Sequence, residues 1–300
     1  MLTNFKELEN YVLSQNMKKR IALANAHDEP ALSAVVNAHR KGVVEGTLVG
    51  KKDEIIAMLH EMGESEKDYE IVDFDGEELE AAKIAVQLVR EGKADIPMKG
   101  ILQTSNFARA ILNKETGLIP AGGRRLVSQC GIFEYEGRFV MITDAAINIA
   151  PDVETQIGIV ENALPVARAL GIDCPKVAVL SAVENVTEKM PSTVSAKEIA
   201  ERGVEGCVIS GPLALDGAIS MESVKHKAIH DPVAGQADIL LVPFIEIGNV
   251  LYKACTYIAG KTMASTICGA SCPVIITSRA DTPDSKYYSI LMAVLRCLKA

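Results

Sequence analysis

The feature that most constrains the fold is the alternation of short apolar runs with segments of helical spacing. The runs 177–181, 207–211 and 238–243 lack the polar alternation of a half-exposed strand, which is typical of parallel strands covered on both faces. In 76–91, apolar residues recur every three or four positions, which predicts an amphipathic helix. We therefore expect an α/β fold.

The same patterns predict the order of elements along the chain. Strands are expected at 20–25, 46–50 and up to Gly100, a hairpin at 124–144 around Glu136-Gly137, and a last strand at 273–278. Helices are expected from Pro30 to Lys41, over 153–170 with a kink or break at Pro165, over Ile245–Ala259 and from Pro283 to Leu298.

The predicted hairpin interrupts the α/β pattern, as a change of domain often does. We expect two α/β domains around a cleft, the first made of residues 1–121 plus 267–300 and the second of residues 122–266.

Composition excludes several classes of partner. The net charge is −8, so the chain lacks the basic surface expected of a protein that binds nucleic acid or an anionic membrane. There is no Trp and little aromatic content, so platforms for stacking single-stranded nucleic acid are not apparent either. No signal-peptide pattern or membrane-spanning apolar run is apparent. The seven Cys form no CxxC pair and no zinc pattern. These observations predict a cytoplasmic protein without structural metal or disulfides.

Polar residues follow the last predicted strand at Ser278-Arg279-Ala280-Asp281 and precede the last helix. Ligands of open α/β sheets lie at the carboxyl ends of strands, and a helix N-terminus there suits phosphate. Arg can bind phosphoryl oxygens and Ser can donate to an oxyanion. The alternative is that Asp281 or Thr282 only caps the helix. We favour Asp281 for capping and site organisation.

Three further segments have the same placement and are candidates for substrate binding. Their alternative interpretation is as ordinary turns. The candidate residues are Lys99, Gly100, Thr104, Arg109, Asp144, Gly211 and Pro212.

Several segments together resemble the phosphate acetyl/butyryltransferase family, and most closely its phosphate butyryltransferase branch. The residues that carry the resemblance include MKGILQTSNFARAILNKETGL (98–118), TDAAINIAP (143–151), GPLALDGAIS (211–220), IGNVLYKA (247–254) and SRAD (278–281). The resemblance extends over nearly the whole chain from about residue 18.

The resemblance implies a metal-independent reaction in which acyl-CoA and phosphate give acyl phosphate and CoA, with CoA as a substrate and no cofactor. It also implies a fold like isocitrate and isopropylmalate dehydrogenases and a homodimer. By the same likeness, Ser278 donates to the acyl carbonyl oxygen, Arg279 binds the acyl phosphate, and Arg109 is a second phosphate-side arginine.

Two departures favour the butyryl branch over the acetyl branch. The acetyltransferases have a catalytic Asp seven residues after the Ser, where this chain has Ser285, and an Arg where it has Tyr257. Asp281 and Asp284 lie near the position of the missing catalytic Asp. A base that takes the proton of the CoA thiol is therefore not identified, and Asp284 is left as a weak candidate for it. The competing hypotheses are a phosphate acetyltransferase, a decarboxylating dehydrogenase and a non-catalytic CoA- or phosphate-binding regulator.

Overall fold

A computed structural model describes residues 1–120, 122–277 and 281–299. The chain divides into two compact units. Leu126–Met263 together with Met1–Asn4 form one, here called the central unit. The other, the terminal unit, consists of Phe5–Arg125 and Ala264–Ala300.

The first part of the terminal unit is a parallel sheet with helical connections. Its strands are β1 (Lys19–Ala24), β2 (Val44–Gly50), β3 (Glu70–Asp73) and β4 (Ile96–Lys99), in the order β3-β2-β1-β4. The helices are α1 (Phe5–Ser14), α2 (Glu29–Arg40), α3 (Lys52–Glu61), α4 (Glu78–Arg90) and α5 (Thr104–Ile111). The expected strands near 20–25 and 46–50 and the helices near 30–41 and 76–91 are confirmed.

The central unit opens with the expected hairpin and continues as a parallel sheet. Strands β5 (Ser128–Tyr135) and β6 (Arg138–Thr143) pair antiparallel. The next elements are α6 (Val153–Ala169), β7 (Lys176–Leu180), α7 (Pro191–Arg202), β8 (Val208–Leu213), α8 (Leu215–Ile219), α9 (Met221–Lys227), β9 (Ile239–Leu241) and α10 (Ile245–Lys253). In the sheet the strand order is β5-β6-β9-β7-β8, and β6, β9, β7 and β8 run parallel. Their buried apolar side chains form the core of this unit.

The chain then returns to the terminal unit as β10 (Ala264–Cys268) and α11 (Pro283–Lys299). The sequence did not predict β10. The strand expected at 273–278 is shorter than predicted. In the described part of this segment, Val274 forms an isolated bridge with Ile267, and Ile275 forms one with Met98.

Two predicted helices differ in detail from the structure. Helix α6 continues through Pro165, although proline removes one backbone hydrogen bond. Leu164 and Val166 on either side are buried, and such packing is what stabilises most protein helices. The helix expected over Ile245–Ala259 changes after Lys253 into a π-helical turn, Ala254–Ile258. Within the described residues, no helix is long and apolar enough to cross a membrane.

Candidate active site

The end of β4 and the chain that leads to Ser278 reach the same edge of the terminal unit. The Lys99 N–H donates to the Ile275 carbonyl at 3.0 Å, and the Ile275 N–H donates to the Pro97 carbonyl at 3.0 Å. The pairing is parallel, so both segments continue in one direction. Two of the predicted site segments therefore start from neighbouring positions, although Ser278 and Arg279 themselves lie outside the described residues.

Gly100 occupies a place where no side chain fits. Its N–H donates to the Ala24 carbonyl at 2.9 Å. A Cβ at this position would lie 2.3 Å from the Asn25 carbonyl oxygen and 2.6 Å from that of Ala24. Glycine thus allows the chain after β4 to pass against the carboxyl end of β1.

Lys99 is bound to the main chain of its own turn. Its side chain is buried, and the ammonium donates to the carbonyl oxygens of Gly100 at 3.1 Å and Leu102 at 3.0 Å. Charged groups are buried only when such partners are present. These bonds order the turn after β4, and direct contact between Lys99 and substrate stays a prediction.

Thr104 and Arg109 both lie in α5 and are exposed. Five residues at 3.6 residues per turn place them about 140° apart around the helix axis. The helix buries Phe107, Ala110 and Ile111. Thr104 and Arg109 therefore project from different sides of α5, and only the long Arg109 side chain can extend back towards the helix start.

A carboxylate already lies at the N-terminus of α5. One Glu78 oxygen accepts from the Gln103 N–H at 2.8 Å and from the Asn106 side-chain amide at 2.9 Å. A negative group at this end is favourable for the helix dipole. A substrate phosphate at the start of α5 would meet this charge, and substrate binding by Thr104 stays a prediction.

Asp144 follows β6 and organises its own loop. The carboxylate accepts from the backbone N–H groups of Gln129, Ala146, Ile147 and Asn148 at 2.9–3.2 Å, and from the Asn148 side-chain amide at 2.5 Å. Burial raises the pKa of Asp144, while the hydrogen bonds from Ala146 and Asn148 oppose that rise. Both carboxylate oxygens thus have donors within the loop, and contact with substrate stays a prediction.

Gly211 and Pro212 lie inside β8, before its end at Leu213. The register between β7 and β8 shifts here, since Ala178 pairs with Ser210 and Leu180 with Leu213. A Cβ on Gly211 would lie 2.7 Å from the Val179 Cβ. The peptide bond to Pro212 is cis, as is that between Thr143 and Asp144. Gly211-Pro212-Leu213 does end a strand, as predicted, and the irregular register indicates a bulge within that strand rather than the alternative of an ordinary turn.

The start of α11 corrects the prediction about its cap. The Thr282 hydroxyl accepts from the Ser285 N–H at 3.1 Å and donates to the Ser285 hydroxyl at 3.0 Å. This is the N-cap arrangement, with Pro283 at the first helical position. Our preference for Asp281 as the cap is wrong, because Thr282 lies at the correct spacing. Asp284 is exposed, and Ser285 is buried.

Lys286 is a residue of this region that the sequence interpretation missed. It is 3% exposed, and its ammonium donates to the main-chain carbonyl of Asp281. A Lys in the first turns of an amphipathic helix is normally solvated, so residue type and spacing gave no signal for its burial.

Three of the cysteine thiols are not activated as nucleophiles. Burial raises the pKa of Cys207 and Cys297 to about 11 and of Cys272 to about 12. The thiolate is the reactive form of Cys, so these thiols stay protonated near neutral pH. Within the described residues, no group of three or more His, Cys, Asp or Glu side chains is placed to hold a metal ion.

Comparisons with known proteins identify the family of the chain. The phosphate acetyl/butaryl transferase family pattern matches residues 76–294. Phosphate butyryltransferase of Clostridium acetobutylicum is 44% identical over 301 residues, covering 98% of each chain. Phosphate acetyltransferase of Thermotoga maritima is 37% identical, covering 94% of this chain and 97% of that one.

A solved structure has the same fold. The crystal structure of a branched-chain phosphotransacylase from Enterococcus faecalis V583 superposes with a TM-score of 0.83 at 35% identity, covering 93% of this chain and 99% of that one. The matched range contains the end of β4, the loop of Asp144, the bulge at Gly211 and the start of α11. The chain belongs to the phosphate acetyl/butaryl transferase family.

Proposed function

We propose that this protein interconverts a short-chain acyl-CoA and inorganic phosphate with an acyl phosphate and CoA, and that butyryl is its preferred acyl group. The observation that carries the proposal is the 44% identity with a phosphate butyryltransferase over 98% of both chains. The common edge reached by Gly100 and by the chain leading to Ser278 supports it from the geometry.

In the proposed reaction, the CoA thiolate attacks the carbonyl carbon of the acyl phosphate. A C–S bond forms, the C–O bond to phosphate breaks, and inorganic phosphate leaves. Ser278 would donate a hydrogen bond to the carbonyl oxygen as that oxygen gains negative charge. Arg279 and Arg109 would bind the phosphoryl group, for which guanidinium is well suited. The protein's part is to hold the two anionic substrates close together and correctly oriented for the attack.

Two other functions are distinguishable from this one. A phosphate acetyltransferase is favoured by the similarity to the Thermotoga maritima protein of that name. A non-catalytic regulator is compatible with Ser285, which stands where the acetyltransferases have their catalytic Asp, but the presence of Ser278, Arg279 and Arg109 argues against it.

Release of free thiol from acyl-CoA in the presence of phosphate tests the proposal. We expect phosphate-dependent release that continues in a strong chelator and without nicotinamide nucleotide. Across acetyl- to valeryl-CoA, kcat/KM should be highest for butyryl-CoA, with neighbouring chains separated by the ~1–3 kcal/mol that a methylene contributes. An acetyl maximum would identify an acetyltransferase, and no release with any chain would leave the regulator.

The proposal includes the setting in which the reaction takes place. CoA acts as a substrate, and the enzyme uses neither a metal nor another cofactor. It works in the cytoplasm as a homodimer, with a fold like that of isocitrate and isopropylmalate dehydrogenases. The seven free cysteines support a reducing compartment.

A further inference from the structure

Helix α10 of the central unit is apolar on two sides, and only one of them is covered. On the inner side, Tyr252 and Cys255 of α10 and its π-helical turn pack against the core of the unit. On the outer side, Ile247 is 45% exposed, Val250 67% and Ile258 86%. A helix that is apolar all round is normally buried, so the outer side has the character of a surface that a partner covers.

The exposed side chains follow one another at helical spacing and form a continuous stripe. Ile247, Val250, Leu251 and Ala254 line one cavity of about 680 Å³, which places them on the same side of the helix. The α10 stripe is defined here as the large exposed apolar residues of this side: Phe244, Ile247, Val250, Tyr257 and Ile258. Apolar patches of more than a few hundred Å² are rare on monomeric proteins and mark interaction sites.

The cavity beside the stripe suits apolar side chains better than an anionic ligand. Its two serine hydroxyls, those of Ser181 and Ser192, lie 2.8 Å apart and bond to each other. Glu246 is the charged residue in its lining. A carboxylate repels phosphate and CoA, so the anions of the proposed reaction are disfavoured here, whereas an exposed side chain such as Ile258 would fit.

The charges at the two ends of α10 complement each other in an antiparallel pair of helices. Glu246 lies in the first turn and Lys253 in the last. They are seven residues apart, about two turns, so they lie on the same side of the helix. In the part of the chain that the structure describes, neither forms an ion pair. If two copies of α10 pack antiparallel with Val250 at the centre, each Glu246 faces the partner's Lys253.

We propose that the α10 stripe is the surface through which two copies of this chain pair, with α10 antiparallel to its copy and stripe side chains entering the partner's cavity. The inference rests on the homodimer included in the proposed function and names its surface. The contact is isologous, because the same residues take part on both sides. A stable interface buries about 800 Å² on each partner, around an apolar centre with a polar rim. The stripe provides the centre, and Glu246 and Lys253 provide part of the rim.

The first experiment measures the oligomeric state by sedimentation velocity over a series of protein concentrations. We expect the wild type to be a dimer. Val250→Arg places two like charges at the centre of the contact and should raise the dimer dissociation constant at least ~100-fold. Leu13→Arg is the matched control, because Leu13 is an apolar residue of α1 that is 38% exposed. It should stay dimeric, and circular dichroism should show that both variants are folded.

The second experiment exchanges the charges and tests the antiparallel arrangement. Glu246→Lys or Lys253→Glu alone opposes like charges at two places in the dimer, and each should raise the dissociation constant roughly 10-fold. The double variant, with both changes, should return close to the wild-type value. Within one helix the two positions are about 10 Å apart along the axis, too far for direct contact, so this recovery reports on pairing between copies.

Three outcomes would overturn the inference. A wild type that stays monomeric at tens of micromolar has no such dimer. A Val250→Arg protein that dimerises like the wild type pairs through another surface. Single and double charge variants with the same dissociation constant would show that Glu246 and Lys253 act only on their own helix. Because none of these measurements uses activity, a dimer of this kind that releases no thiol would refute the proposed reaction and leave the inference standing.

Discussion

Carboxylates near the candidate site differ in how much of their hydrogen-bonding capacity is already used. Asp144 accepts five hydrogen bonds from its own loop and from Gln129. A carboxylate bound in this way stabilises a loop, but it has little capacity left to take a thiol proton. Asp284 is exposed in the first turn of α11, so it keeps the accessibility that a base needs.

The residue that caps α11 gives a prediction about stability. Thr282→Ala removes the acceptor of the Ser285 N–H, and we expect the free energy of unfolding to fall by about 0.5–2 kcal/mol. Thr282→Ser keeps the hydroxyl and should retain most of the stability. Urea denaturation followed by circular dichroism measures both variants.

Asp281→Asn is the comparison for the cap. Because Thr282 already occupies the capping position, this variant should lose less stability than Thr282→Ala. A larger loss for Asp281→Asn would mean that Asp281 supports the helix start after all.

The chain that follows β4 lies unusually close to the backbone at the end of β1. Gly100 passes so near to Ala24 and Asn25 that any side chain would contact their carbonyl oxygens. Backbone atoms at the carboxyl end of a paired strand cannot move aside as a flexible side chain can. The direction in which the chain leaves β4 is therefore set by a glycine.

Gly100→Ala should displace the turn after β4. We expect a loss of at least about 1–3 kcal/mol in the free energy of unfolding, as for other overpacked sites, together with a lower kcat. Gly46→Ala is a matched control in β2, since the three atoms nearest to a Cβ there belong to side chains, those of Tyr69 and Val35 at 3.2 Å and that of Leu48 at 3.5 Å. Equal losses in the two variants would show that backbone contact at Gly100 has no special effect.

For the molecule as a whole, hydrophobic patterning predicted the α/β elements but not their connections. The runs at 177–181 and 238–243 are buried parallel strands, as expected from their uniform apolar character. The pattern could not reveal which strands pair, that β10 exists, or that Gly211 lies within a bulge, because these depend on contacts between distant residues.

In the candidate site, too, some features could be predicted from the local sequence, whereas others depend on contacts that the sequence does not reveal. Gly100 could be singled out from local sequence. Thr282 was one of two possible caps, of which we preferred the other, Asp281, and the burial of Lys286 could not be predicted at all. Its partner is a carbonyl, which every residue type carries, so the sequence offers no mark of it. Ser278 and Arg279 were singled out from the sequence, and their place in the site stays a prediction.

Both ends of the terminal unit meet at one buried carboxylate, Glu9 of α1. It accepts from Lys41 after α2 at 2.8 Å, from Lys6 at 2.8 Å and from the Tyr287 hydroxyl of α11 at 2.9 Å. The hydrogen bonds from Lys41 and Lys6 hold the pKa of Glu9 at about 2, well below its ordinary value of 4.5. The charged form is therefore favoured in the folded state more than in the unfolded chain.

This lowered pKa makes the stability of the protein depend on pH in a defined window. Above pH 4.5, Glu9 is ionised in both states and its contribution is fully present. As the pH falls from 4.5 towards 2, the unfolded chain binds a proton before the folded one does, and the contribution is lost.

Glu9→Gln should therefore lower the free energy of unfolding at pH 7 and flatten its decline between pH 4.5 and 2. Glu61→Gln, an exposed change at the end of α3, should leave the decline unchanged. Urea denaturation at a series of pH values measures all three proteins, and parallel curves for wild type and Glu9→Gln would show that Glu9 does not join these helices.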